Sequence, residues 1–408
     1  MTLKVKNQPI VAPDFLLPHK GIDLSKWAVV ACDQFTSSPG YWQELLSYID
    51  DAPSTYHMML PEVYLEKMMP DTISQIHKNM QEYLKDGTLQ SIGSSFMLIE
   101  RITNLNVRRL GLMVAIDLEA YDYAEGSKPM IRTTEKTIVE RIPPRVKIRE
   151  HAPLELSHIM LLVNDRKNRI IERLYEKKAT LKKRYDFVLN MMGGHIRGYQ
   201  IFDTDPIIQE FYTLIEDEND PVLFVVGDGN HSLATAKAHW ENVKKTLPVE
   251  KQVDHPARFA MVEIVNIYDE GLDFEGIHRV LFNVGPDFLI DLFHAVDKDV
   301  ATWVYTKEVG KEEFFIPKST AEAYEQIQTF IDNYLLHHKE ASIDYIHGED
   351  ELLRVCKHHP NAVGIAMPTL AKKDLFPFIQ TGKVLPRKSF SMGCATAKRY
   401  YLESRRIR

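Results

Sequence analysis

Asp228, His231 and Ser232 fall within five residues of one another, and Gly227 and Gly229 bracket the acid. A carboxylate can hold a metal or accept a proton, and an imidazole exchanges one near neutral pH. A hydroxyl bonds an anion. Crowding these groups together takes a sharp turn, and the flanking residues supply one. Val222, Leu223, Phe224, Val225 and Val226 form an unbroken apolar run, the pattern of a strand buried on both faces. From Asn230 the period changes, with Leu233, Ala236, Trp240 and Val243 making one helical stripe. Asn230 is expected to cap that helix. A helix start fed by a glycine turn aims free amides and the positive dipole end at one point, a natural anion site. Two glycines at a strand-to-helix junction are common and weak evidence alone. The acid and the imidazole inside the turn favour a phosphate cradle with an acid or base beside it.

Other candidates are spread along the chain. Trp27 to Cys32 reads as a short apolar strand running into Asp33, where α/β folds place ligand contacts; a turn or cap residue is the plainer reading. Ile131-Arg132-Thr133-Thr134-Glu135-Lys136-Thr137 is followed by Arg141, Arg145, Lys147 and Arg149. These cations outnumber Glu135 and Glu140 and favour the carboxylate form. A cationic loop with threonine hydroxyls suits a phosphorylated ligand, and a solvated basic loop suits the residues equally. His278 and Arg279 follow the apolar run Arg258–Asn266, and His278 by itself reads as a partly buried histidine in a turn. Gly382 to Ser389 is a Gly- and Pro-containing turn in which Lys383, Arg387, Lys388 and Ser389 can meet a phosphate.

The elements that must position these residues alternate between strands and helices. Helices are expected from Ser38-Pro39 to Ile49, from Asp71 to Gly87, from Asp205-Pro206 to Ile215, and from Ser319 to His338. Phe96–Ile99 with Leu110–Leu118, and Tyr185–Asn190 with Ile196–Asp203, read as hairpins. Arg258–Asn266 is expected beside the central strand. The 408 residues, 44% hydrophobic and 26% charged, can bury a real core. A net charge of -7 argues against nucleic acid as a partner. No apolar stretch reaches membrane-spanning length and no signal core follows Met1, so a cytoplasmic, soluble protein is expected. Cys32, Cys356 and Cys394 are too few and too scattered for a disulfide framework or a structural zinc.

The order of these pieces resembles the family of domain of unknown function 1015. Its A-D-G-H-H-R hallmark is similar to Gly227-Asp228-Gly229-Asn230-His231-Ser232, and its H-E-R-T segment to Thr134-Glu135-Lys136-Thr137. Its D-R element resembles Pro144-Arg145, its P-T-H-R segment Gly276-Ile277-His278-Arg279, and its G-x-x-M-P-x-K-S-T segment Gly382 to Phe390. Its early A-P-P-Y-D-V resembles Val30 to Gln34. The same strand-turn-helix is shared with the ParB/sulfiredoxin-like fold and its free serine kinases, which phosphorylate free L-serine with a glutamate as base. The resemblance implies an α/β (mixed α+β) fold with a ParB/sulfiredoxin-like nucleotide-binding core, additional hairpins and a C-terminal α/β extension.

It also implies a small-molecule kinase using ADP or ATP with Mg²⁺. Glu135, Asp228 and His231 would be catalytic, and Asp228 would hold the metal. Gly227 to Ser232, Arg145, Lys388 and Ser389 would bind the nucleotide, and Asp33, Thr134, His278 and Arg279 the hydroxyl-bearing metabolite. Two positions depart from the pattern: Asn230 replaces a histidine and Ser232 an arginine, removing a bidentate phosphate contact.

The expected regions are 1–281 for the nucleotide-binding core, 282–376 for a C-terminal α/β region and 377–408 for a basic tail returning to the core. Two rival functions remain. Gly227-x-Gly229-x-x-Ser232 nearly spells a dinucleotide fingerprint of NAD(P) oxidoreductases, but Glu250 sits in a charged loop and not at a strand end. A non-catalytic ParB-like nucleotide switch would bring a basic DNA-binding module, and none is seen. The acceptor, the nucleotide and the oligomeric state, a homodimer among the options, stay open.

Overall fold

The computed structural model describes residues 9–32, 35, 39–67, 69–124 and 126–408. The chain forms a mixed α/β structure with three sheets among the described residues and divides into two compact units. The first unit comprises 1–133, 137–272 and 394–408, and the second 134–136 and 273–393. The boundary therefore falls at 272, ahead of the expected 281, because the strand Phe274–Phe282 pairs with Ser342–His347, Val363–Ile365 and Phe390–Met392. Residues 377–393 belong to the second unit, and the tail rejoins the first only from Cys394.

A ten-stranded sheet organises the first unit. Both expected hairpins form, as Phe96–Ile102 with Arg108–Asp117 and Lys182–Leu189 with Gly194–Ile201. Alternate residues serve opposite cores. Phe96, Leu98, Leu112 and Val114 join one buried cluster, while Met97, Ile99 and Met113 join the other. The strand Phe224–Asp228 runs antiparallel to Met160–Val163 and parallel to Ile131–Arg132. Phe259–Asn266 is not its neighbour: Met160–Val163 lies between them and pairs with both. The expected strand at Trp27–Cys32 is instead the end of a helix, Leu24–Trp27, followed by a single bridge from Val29 to Tyr401. A four-stranded sheet takes in the C-terminal strand Ser404–Arg406.

The second unit holds the sheet Gly310–Ile316, Val300–Thr306, Val363–Ile365, Phe274–Phe282 and Ser342–His347, in that spatial order. The helix Thr320–His337 starts at its expected cap, where Ser319 Oγ accepts the Glu322 amide. It buries Tyr324, Ile327 and Ile331 as its stripe requires.

Candidate functional site

The glycine turn is built at the end of a buried strand. Phe224, Val225 and Val226 are fully buried. The pairing with Met160–Val163 then skips a residue between Val226 and Asp228, so Gly227 is the extra residue of a bulge. Bulges re-aim the side chain that follows, here Asp228. Gly229 has φ 81° and ψ 28°, left-handed backbone that only glycine adopts without penalty, and it is the N-cap of the helix Asn230–Lys244. Asn230, expected to be the cap, is the first helical residue. Its Oδ1 accepts the Thr133 hydroxyl at 2.8 Å instead of an amide of the helix. Leu233, Ala236 and Trp240 anchor the helix in the core. The first-turn amides have no acceptor one turn earlier, as at any helix start.

Around this turn the first unit assembles side chains from four distant segments. Asp228 Oδ2 lies 3.3 Å from Lys398 Nζ, and Asp228 Oδ1 accepts the Gly229 amide. Ser232 Oγ is 3.3 Å from His158 Nε2, and His158 Nδ1 is 2.7 Å from Tyr401 Oη. Burial raises the Tyr401 pKa, and the charges of Glu62 and Asp228 add to the rise, so the phenol keeps its proton. His231 Nε2 accepts the Ile138 amide at 3.3 Å. Arg145 sits on the helix Ile142–Arg149, not in a loop. Its guanidinium bonds Glu62 at 2.6 Å and the Arg141 carbonyl at 2.8 Å.

The second unit gathers the other expected residues. Thr134–Lys136 is pinned on both sides of Glu135: Leu385 N–H donates to the Thr134 carbonyl at 2.8 Å, and Lys136 N–H to the Leu385 carbonyl at 3.2 Å. Glu135 Oε1 accepts the Ser389 amide at 3.2 Å, and the Lys388 amide also donates to this carboxylate. Burial raises the Glu135 pKa against the opposing pull of these amides and of the Lys388 and Arg279 charges. Ser389 is buried and its hydroxyl donates to the Pro386 carbonyl at 2.7 Å, so it turns inward to the turn. Arg279 is wholly buried, bonded to the carbonyls of Arg387 and Lys388 and flanked by the rings of Tyr324 and Tyr345. It is a rivet under the turn, not a surface for substrate. His278 lies within a strand, not a turn. Its Nδ1 accepts the Met367 amide at 3.0 Å, and burial lowers its pKa. Asp33 lies outside the described residues.

A family model described as "Protein of unknown function (DUF1015)" matches residues 16–374. The chain belongs to the DUF1015 family. No curated protein matches it. Among solved structures it is similar to a free serine kinase variant in complex with AMP, at 10% identity and a TM-score of 0.42, covering 72% of this chain and 92% of that one. A free serine kinase variant in complex with ADP gives 9% identity and a TM-score of 0.41, covering 72% and 92%. A conserved hypothetical protein from Pyrococcus furiosus gives 12% identity and a TM-score of 0.37, covering 71% and 93%. No helix of the described residues is long and apolar enough to cross a membrane.

No group of three His, Cys, Asp or Glu side chains converges among the described residues. The one carboxylate on the turn, Asp228, is already paired with an ammonium. Sequence reasoning missed His158, Tyr401, Lys398 and Glu62. His158 precedes a strand with nothing to mark it. Lys398-Arg399-Tyr400-Tyr401 reads only as a basic tail, yet Arg399 and Tyr400 anchor it in the core through Glu263, Glu403 and the Asn190 carbonyl. That anchorage delivers Lys398 and Tyr401 to the turn.

Proposed function

We propose that this DUF1015 protein is a nucleotide-dependent phosphotransferase that phosphorylates a hydroxyl of a small metabolite, free L-serine or a close relative. The observation that carries the reading is the left-handed Gly229 turn. It opens a 15-residue helix at the end of a buried strand with Lys398 beside it. Helix-start amides with an ammonium beside the turn favour phosphate oxygens, and such contacts strengthen as charge shifts during phosphoryl transfer. ADP or ATP would supply the phosphoryl group, and the ParB/sulfiredoxin-like core belongs to the same proposal.

In this reading the acceptor hydroxyl attacks phosphorus, the bond to the leaving nucleotide oxygen breaks, and the hydroxyl proton passes to Glu135. A carboxylate whose pKa is raised by burial is a better proton acceptor than an ordinary one, which supports the choice. The NAD(P) alternative gains nothing, since Glu250 lies in the short helix Val249–Gln252 and not at a strand end. Calorimetric titration of the whole chain with ADP and with adenosine tests the reading. ADP should bind at least about a hundredfold tighter, because two or more charge-assisted contacts are lost without phosphates. Equal affinities would reject it.

A further inference from the structure

The turn Leu385–Ser389 is held from behind along its whole length. The Leu385 carbonyl accepts the Lys136 amide, the Pro386 carbonyl the Ser389 hydroxyl, and the Ser389 carbonyl the Ile277 amide. Arg279, buried beneath, takes the carbonyls of Arg387 and Lys388 at 3.3 and 2.9 Å. Five consecutive carbonyls are thereby turned to the interior. Lys388 has φ 56°, a left-handed conformation costly for a side-chain-bearing residue and kept only where the surroundings enforce it. Successive amides in such a turn form a concave nest that binds anions. Here the Lys388 and Ser389 amides point at one carboxylate, that of Glu135.

We propose that the 386–389 turn is a phosphoryl-binding nest whose resident anion is the Glu135 carboxylate, and that a phosphoryl group entering the nest displaces it. The inference deepens the phosphotransferase reading and rests on it for the identity of the anion. Glu135 fills the nest because its backbone is fastened to Leu385 on both sides, which places its side chain over the turn. Burial opposes the charge of the seated carboxylate and raises its pKa, against the pull of the amides and cations. A phosphoryl group brings up to two charges and three acceptor oxygens to the same donors, with the Lys388 ammonium next to them. Displacement leaves Glu135 an ionised carboxylate without its amide donors, a stronger base than the seated one. Phosphate binding and proton abstraction are then coupled through one side chain.

The sign of a substitution separates this from a plain catalytic role. If Glu135 competes for the nest, removing its charge tightens phosphate binding; if it only takes a proton, affinity is unchanged. The full chain, labelled with ¹⁵N-lysine, is titrated with inorganic phosphate, and the Lys388 amide is identified by its loss in Lys388→Arg. Glu135→Ala should bind phosphate about tenfold tighter than the wild type, and Glu135→Gln should show a smaller gain, with the Lys388 amide shifting in each. Unchanged or weaker affinity in both variants, or a gain with the Lys388 amide unmoved, overturns the proposal; Glu135→Gln decides it if the alanine variant does not fold. ADP titration of Gly229→Ala reads the helix cradle separately. Loss there without gain at Glu135 rejects the nest alone, and no loss there rejects the phosphotransferase reading.

Discussion

Gly229→Ala probes the cradle with the smallest change available. At φ 81° an L side chain costs about 1–2 kcal/mol relative to glycine. An added Cβ would also stand 3.0 Å from Ile159 Cγ1 and 3.1 Å from Ile159 Cα. The second contact is to backbone in a buried segment and yields little, so about a further 1 kcal/mol of crowding is expected. A loss near 3 kcal/mol leaves most domains folded. The turn relieves the contact by shifting away from Ile159, which swings the first helical amides off their common point. Losing one charge-assisted bond of about 1.5–3 kcal/mol weakens ADP binding at least about tenfold. Gly87→Ala is the control: φ is 82°, nothing lies within 4 Å of the added Cβ, and the residue ends a different helix. It should cost about 1–2 kcal/mol in urea unfolding and leave ADP affinity unchanged. A Gly229→Ala protein that binds ADP as the wild type does would refute the cradle. Equal unfolding losses in the two variants would refute the role given to Ile159.

Three further outcomes follow. Lys398→Met should weaken ADP about tenfold and leave adenosine unchanged in calorimetry, since the ammonium near Asp228 meets phosphate and not base or sugar. Arg279→Met should destabilise the protein by at least about 2 kcal/mol in denaturant titration, because the Arg387 and Lys388 carbonyls lose their buried donor. His239 is buried on the cradle helix, and burial, then the charges of Arg149 and Arg408, push its pKa down to about 4. The unfolded chain protonates it near 6.5 and the folded chain does not, so its contribution is intact above that pH. It is lost as pH falls toward 4, by about 3 kcal/mol in all. Unfolding measured across that window should be steeper for the wild type than for His239→Leu.

The strand-turn-helix at 222–244 was legible because everything that makes it is local: an apolar run, two glycines, then a change of period. The hairpins and the Ser319-capped helix were legible for the same reason. The strand Phe274–Phe282 was not, since its burial comes from partners 60 to more than 110 residues away. Trp27–Cys32 looked like a strand because Trp27 to Val30 are buried apolar residues, but burial there comes from packing and not from a ladder. The candidate site divides likewise. Asp228, Gly229 and Ser232 stood out by spacing, whereas His158, Lys398 and Tyr401 reach the turn only through tertiary anchors. Charge and hydroxyl mark Lys388 and Ser389 in the sequence, yet they act on Glu135 through backbone amides, which any residue but proline carries.

The most direct test of the account is phosphoryl transfer itself. The whole protein is incubated with ADP or ATP and L-serine, and phosphoserine is followed by ³¹P NMR. A growing phosphoserine resonance is expected with the wild type. In Glu135→Gln it should fall by roughly two to four orders of magnitude, the usual worth of a positioned base, while ADP stays bound. Undiminished transfer by Glu135→Gln would contradict the account, as would a wild type that binds ADP but phosphorylates neither serine nor related small hydroxyl compounds.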